Sequence, residues 1–296
     1  MHLHKYVTID ILKEIVGGSI RFTQPGAFND PFELVPELHV PETENKNLNI
    51  NFDLKAPRRN PPVGELPDNF RSEFCSDLNS REILQELNNS IGILCLSQAY
   101  NSLLMWSHYA DEYKGAIITF NKDHDFFKGL IEIDYREKRP IKDVSAYIDS
   151  AEPVPISEMC VKPKDWQYES EVRIIRNLRD CVKVADGEKY PIYVMSIPIE
   201  CIKSITLGER TPVIQQREIY ELIKDSDISL FLAAVANWQY QFRDEIIKYE
   251  KPVSEKPPVI SPRTAHIFSE LDNNLGELAR WTLMNHQYSE MVNKTL

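Results

Sequence analysis

The sequence predicts an α+β fold with a helical C-terminal region. Strand-like runs crowd residues 91–207 without a regular alternation of helices between them. A short, clearly punctuated amphipathic helix opens the chain, and after Gly208 the apolar spacing turns helical. The expected organisation is an α+β unit over residues 1–209, followed by helices over 210–296.

Thr8 suits a helix N-cap, Asp10 suits the first turn, and Ile9, Leu12, Ile15 and Val16 form an apolar face that ends at Gly17-Gly18. Ser19–Thr23 alternates as a strand does, with Ile20 and Phe22 on one side. Residues 41–82 carry five prolines and seven asparagines with little periodicity, which predicts a long loop or lid, with one short helix near Ser80–Asn88. Ile91–Ser97 is a continuous apolar run suited to a buried strand. Asn101–Tyr113 reads as a helix or tight turn. Gly115–Phe120, Leu130–Tyr135, Glu169–Ile175, Ile192–Ile197 and Ile202–Leu207 read as further strands. Beyond Gly208, Thr211-Pro212 resembles an N-cap and first helical residue, and Ile214, Ile219, Leu222 and Ile223 keep helical spacing. Ser229–Tyr249 is expected to be a longer helix, Glu250–Arg263, with four prolines, a linker, and Thr264–Lys294 helical again.

The chain has 296 residues, 42% of them hydrophobic and 27% charged, which is ordinary globular chemistry. Its net charge of −11 argues against a nucleic-acid binder held by bulk charge, while leaving room for a local basic cleft. The most apolar stretch, Ile228–Val235, is too short to span a bilayer, and Met1–Thr8 has no signal-like apolar region, so no membrane association is expected. Five scattered cysteines (75, 95, 160, 181 and 201), with no CxxC pair, predict neither a disulfide frame nor a zinc site and suit a reducing cytoplasm.

Three segments carry concentrated chemistry. In Phe28–Glu33, Pro31 forces Asp30 out of the helical region, and Asn29 and Asp30 can close turns with their own side chains. The segment reads either as a plain turn or as a cleft rim, with Asn29, Asp30 and Glu33 between aromatic anchors. Met105–Ala110 brings an indole, an imidazole and a phenol together at Trp106, His108 and Tyr109. Ser107 and His108 do not make a catalytic triad, and no GxSxG elbow is present.

The third segment runs from Lys162 to Arg173. Strand alternation would put Glu169, Glu171 and Arg173 on one side and Tyr168, Ser170, Val172 and Ile174 on the other, with the two carboxylates ~7 Å apart. The bland interpretation is a solvated charged face. The functional one is glycosidic cleavage, in which a fixed carboxylate stabilises positive charge building on a sugar carbon and a second orients or deprotonates the attacking group. Nicotinamide of NAD is such a leaving group. Aromatic side chains can sandwich its ring, and Arg or Lys can hold the pyrophosphate.

At these segments the sequence resembles a bacterial domain-of-unknown-function family, through Lys5-Tyr6, Phe28–Glu33, Met105–Ala110 with Gly115 and Phe120, Lys162 with Trp166–Arg173, and Ile205–Gly208. The resemblance covers about residues 3–209. The family looks similar to ADP-ribosyltransferase-like proteins, which implies a split β-sheet core with an opening strand and helix, a serine-bearing middle strand and a late Glu-x-Glu strand. On that similarity Glu171 is the catalytic carboxylate, Glu169 its partner and Ser97 the supporting serine. His4-Lys5-Tyr6 stands where many such transferases place Arg or His to grip NAD. The resemblance further implies a toxin or phage-defence role, with an antitoxin or other protein partner meeting the C-terminal helices.

The first functional expectation is therefore an enzyme that splits NAD as substrate and modifies a protein, RNA or DNA. Glu171 and Glu169 would do the chemistry; Lys5, Lys162 or Arg173 would meet phosphates; Trp106, His108, Tyr109 and Trp166 would line the ring pocket. The rivals are a metal-independent nuclease or phosphoryl-transfer enzyme using His108 with Lys162 and Arg173, and a non-catalytic sensor or scaffold.

Overall fold

The computed structural model describes residues 2–35, 37–39, 70–143 and 156–289. Its elements are β1 (His2–Val7), α1 (Ile9–Val16), β2 (Ser19–Phe22), β3 (Glu37–His39), α2 (Phe70–Ser90), β4 (Ile91–Ser97), α3 (Leu103–Tyr109), β5 (Ala116–Asn121), β6 (Ile131–Glu132), β7 (Asp134–Arg136) and β8 (Ile141–Asp143). They continue with β9 (Val161–Pro163), β10 (Glu171–Asn177), β11 (Val182–Ala185), β12 (Ile192–Ser196), β13 (Ile202–Leu207), α4 (Val213–Ile223), β14 (Ser229–Val235), β15 (Phe242–Lys248), α5 (Ala265–Phe268) and α6 (Asn274–Asn285). The loop expected over 41–82 lies outside the described residues as far as residue 69, and α2 takes up the rest.

An eight-stranded sheet in the order β15-β14-β13-β5-β1-β4-β10-β6 organises the molecule, and β2, β12 and β11 form a smaller sheet beside it. The pairings within the large sheet are antiparallel except β13–β14. A parallel neighbour needs a long crossover, and α4 supplies it.

One face of the sheet is a continuous apolar layer: Leu3, Val7, Leu94, Leu96, Ile118, Phe120, Val172, Ile174, Ile205 and Leu230 pack with α1, α4, α5 and α6. α1 forms as its punctuation dictates, with Thr8 accepting a hydrogen bond from the Ile11 amide at 3.4 Å and Ile9, Leu12, Ile15 and Val16 buried. The opposite face is divided. Tyr6 and Ile117 pack under Trp106 and Met105 of α3. Ile93 packs in a separate cluster with Leu34, Ile133, Met159 and Cys160, to which α2 adds Ile83 and Leu87.

Four expectations change. Ser229–Tyr249 is not a helix but the hairpin β14–β15, because its apolar run is a buried strand flanking β13; the large sheet therefore continues past residue 209. The C-terminal segment is thus mixed rather than helical. The strand expected from Glu169 begins at Glu171, and residues 164–169 wind as a 3₁₀ turn. Leu130–Tyr135 is two short strands parted at Ile133. Thr211 does not cap α4: its hydroxyl donates to the carbonyls of Lys114 (2.9 Å) and Gly115 (3.2 Å), and Pro212 takes the N-cap position.

Gly208 ends β13 with its amide on the Gly115 carbonyl at 2.8 Å, and a Cβ there would collide with the Tyr113 carbonyl. Gly208→Ala is expected to cost about 1–3 kcal/mol, read as a lowered urea midpoint, because backbone rather than a flexible side chain must yield.

Candidate functional site

β1 and β4 are neighbours in the sheet, but their pairing is confined to His4↔Ser97. On either side of that pair the strands are not in register, and a cavity of ≈190 Å³ is lined by His4, Lys5 and Tyr6 from β1 and Cys95, Leu96 and Ser97 from β4. Met105 and Tyr109 of α3, Phe28 and Asn29, and Lys162, Glu169 and Glu171 complete the wall. The cavity sits between the two apolar clusters that divide this face, since it draws Tyr6 and Met105 from one and Phe28 and Cys95 from the other.

Behind the cavity lies a buried ion cluster. Arg173, 0% exposed, grips Glu33 with both terminal nitrogens (2.5 and 2.9 Å) and Glu171 through Nε (2.7 Å) and Nη2 (3.1 Å). Lys162 Nζ lies 2.7 Å from Glu169 Oε2 and 2.7 Å from Glu171 Oε2. Tyr109 donates to Glu169 Oε1 at 2.5 Å, and Asn29 donates to the Tyr109 oxygen at 3.3 Å. Arg173 lies beside the Phe28 ring and Lys162 beside the Trp166 ring, 5.6 and 5.4 Å from the centroids.

Local backbone explains how two glutamates two residues apart reach one site. Glu171 and Arg173 share a face of β10 as strand alternation requires. Glu169 precedes the strand, and Ser170 between them is left-handed (φ 42°, ψ 51°), a costly conformation for a residue with a Cβ. Ser97 holds this turn, donating to the Glu169 carbonyl at 2.5 Å, while the Gln98 amide donates to the Ser170 carbonyl at 2.9 Å. The Tyr135 hydroxyl receives the Glu171 amide at 2.8 Å.

The surroundings set the protonation states. Burial alone would raise the Glu171 pKa, but the charge and hydrogen bonds of Arg173, with Lys162 and the Cys95 thiol, outweigh it and bring it to about 2. Burial opposes the charge on Lys162, yet Glu171 and Glu169 pull its pKa well above the ordinary value. Lys5 differs. Desolvation lowers its pKa against the pull of Cys95 and Glu171, and its ammonium donates to the Cys95 carbonyl at 3.0 Å across the gap between β1 and β4. His4, bonded to Thr119 at 3.1 Å, is pushed down to about 4 by burial and by nearby His2.

Of the residues singled out in the sequence, Lys5, Tyr6, Asn29, Ser97, Tyr109, Lys162, Glu169 and Glu171 line the cavity. The others lie elsewhere. Arg173 is behind the wall, engaged with Glu33 and Glu171. Asp30 is buried and accepts the Phe32 amide at 2.9 Å, so its observed work is closing the turn. Trp106 is 1% exposed in the core under α3, against Tyr6 and Phe242. His108 is exposed, with Nδ1 3.0 Å from the Tyr168 hydroxyl, and Trp166 stacks over Lys162. Cys95 was not among the expected site residues, and Glu33 was expected only as a cleft-rim residue beside Asn29 and Asp30. Glu33 was signalled only by its place in the Phe28–Glu33 motif, and Cys95 only by its place two residues before Ser97 in a strand. Among the described residues, no cluster of His, Cys, Asp and Glu is arranged to hold a metal ion.

Arg173→Leu would strand Glu33 and Glu171 as buried, unpaired charges and is expected to destabilise the fold by about 3–5 kcal/mol in urea denaturation. A second test concerns pH. The unfolded chain protonates His4 below its ordinary 6.5, the folded chain only near 4. The stability that neutral His4 contributes is present above pH 6.5 and lost as pH falls toward 4, so His4→Gln should flatten the fall of Tm across that window.

Residues 105–174 match a family model described as Protein of unknown function (DUF2971). No curated protein and no solved structure matches the chain significantly. The matched segment runs from α3 through β5 and β9 to the start of β10, and over it, including Tyr109, Lys162, Glu169 and Glu171, this chain is similar to that family of unknown function.

Proposed function

We propose that the protein is an enzyme of ADP-ribosyltransferase type, which breaks the bond between nicotinamide and ribose in NAD and passes the ADP-ribosyl group to a macromolecule. The observation that carries this reading is the convergence of Lys5, Ser97 and Glu171, from three adjacent strands, on one cavity at the point where the sheet parts, with Glu169 beside them.

The charge balance supports it. Glu33, Glu169 and Glu171 face Lys162 and Arg173, three acids against two bases in direct contact. Such a site favours a cationic ring and the positive charge that develops on the ribose as nicotinamide leaves. Glu171 is saturated by Arg173, Lys162 and Cys95, so it acts through its charge. Glu169 makes single bonds to Tyr109 and Lys162, and the lone pairs left over can take the acceptor's proton. Tyr6, Phe28 and Tyr109 supply flat walls, and Lys5 meets phosphate. At ≈190 Å³ the cavity suits the nicotinamide end rather than the whole dinucleotide.

In this reading His108 has no direct part, since it does not line the cavity. A role as a restrained toxin or phage-defence effector belongs to the same proposal. What supports a protein partner is an exposed apolar stripe on and just beyond α6, made of Leu278, Trp281, Met284 and Tyr288. Free Cys95, Cys160, Cys181 and Cys201 are in keeping with a reducing compartment, and no helix among the described residues is long and apolar enough to cross a membrane.

The test is nicotinamide release from NAD by the purified protein, with cell lysate as acceptor, beside Glu171→Gln and Lys5→Ala. Wild type should release nicotinamide. Glu171→Gln should lose at least about a hundredfold in rate while its circular dichroism stays native, and Lys5→Ala should raise KM more than it lowers kcat. Absence of release together with absence of an NAD-induced thermal shift would overturn the reading and leave the cluster as a structural scaffold.

A further inference from the structure

The Phe28–Glu33 motif is divided between two cavities. Phe28 and Asn29 line the one described above, Glu33 enters the ion cluster, and Phe32 faces a second cavity of ≈180 Å³ on the other side. Lys162 lines both, so the two spaces are neighbours at β9. The second cavity has an apolar lining of Val35, Pro140, Met159, Val161 and Pro163, and its rim is the run Arg136-Glu137-Lys138-Arg139. This run escaped the sequence reading because it is short and the chain as a whole is acidic.

The rim is cationic, with partners that leave some of its charge free. Arg136 leans on Asp134, with Nη2 at 2.6 Å. Lys164 holds the Glu137 carboxylate at 2.9 Å. Arg139 donates Nε to the Val35 carbonyl at 2.7 Å and lies over the Phe32 ring, 5.3 Å from its centroid, with Glu37 and Asp30 as the acids that act on it. Lys138 and Arg139 are exposed. The Phe32 ring remains 53% exposed although Arg139 lies over it. An exposed ring stacked with a guanidinium, over an apolar floor and under a cationic rim, is the chemistry that receives a base and its phosphate.

We infer that this second cavity docks the acceptor and that the acceptor is single-stranded nucleic acid. A base stacks on Phe32 and Arg139, and the flanking phosphates meet Lys138 and Arg139. This inference rests on the NAD reading. The docked strand then lies beside the cavity that Glu169 lines, with Lys162 common to both. In the transfer, the C1′–N bond of NAD breaks and its electron pair leaves with nicotinamide. A base nitrogen or a sugar hydroxyl bonds to C1′, and its proton passes to Glu169.

Binding is separable from chemistry. Fluorescence anisotropy of labelled single-stranded RNA and DNA oligonucleotides should show salt-sensitive binding to wild type and to Glu171→Gln alike, with the RNA and DNA arms identifying the preferred strand. Phe32→Ala, Arg139→Ala and the surface variant Lys138→Ala should each weaken it, the first two by about tenfold. Label from NAD should then appear in the bound oligonucleotide. Nicotinamide release without oligonucleotide binding, binding indifferent to all three substitutions, or label entering only protein in lysate would each overturn the docking inference and leave the NAD reading standing. Binding that depends on Phe32 and Arg139, with neither nicotinamide release nor an NAD-induced thermal shift, would uphold the docking surface and overturn the NAD chemistry.

Discussion

The contact between Arg173 and the two glutamates Glu33 and Glu171 is the constraint on which the rest of the site depends. A fully buried guanidinium requires paired anions, because an uncompensated charge in the interior costs several kcal/mol. One carboxylate comes from β10 itself; the other comes from a turn 140 residues earlier in sequence. The pairing therefore ties the Phe28–Glu33 turn to the sheet. Lys162 extends the tie to β9 and to the 3₁₀ turn that carries Glu169. Buried ion pairs of this kind add little net stability compared with apolar packing of the same volume. Their effect is positional: they fix the ionised Glu171 at the edge of the cavity, with Glu169 beside it.

That cavity exists because β1 and β4 touch in register at one pair only. A sheet in unbroken register would bring the two backbones together along their lengths and leave no such space. Instead Lys5 reaches across the gap to the Cys95 carbonyl, and the walls come from β1, β4 and α3. Each neighbouring pair is otherwise regular: β1 matches β5 over six residues and β10 matches β4 over seven. The gap thus lies between β1 and β4, with regularly paired strands on both sides to hold it open.

Much of this was legible in the sequence where one rule acted alone. The capped helix α1, the buried strand β4 and the shared face of Glu171 and Arg173 follow from spacing. Failures came where two rules competed. Ser229–Val235 is an apolar run that periodicity alone does not separate from a buried helix; the charge-free turn 236–241 that follows was the unused signal for a hairpin. Simple alternation carried Glu169 onto the strand, whereas a left-handed Ser170 brings it to the same site by a different path. Trp106 and Arg173 carry ligand-binding chemistry but are buried, one in the core and one in the ion cluster, and burial is decided by long-range packing that local sequence does not encode.

The left-handed Ser170 is also where fold and chemistry meet. A residue with a Cβ at φ 42° is held there only if its surroundings over-determine the backbone, and here they do. Ser97 takes the carbonyl before it, the Gln98 amide takes its own carbonyl, and Tyr135 takes the amide after it. Three bonds thus fix the turn between Glu169 and Glu171. Were the strand simply extended back to Glu169, the two carboxylates would lie ~7 Å apart along one face. With the turn, one ammonium, Lys162, lies 2.7 Å from both. Two carboxylates are thereby drawn onto one cation and held adjacent. The proposed chemistry, in which one acid stabilises a cation and the next accepts a proton, would use that arrangement, and the strain at Ser170 is the local cost of having it.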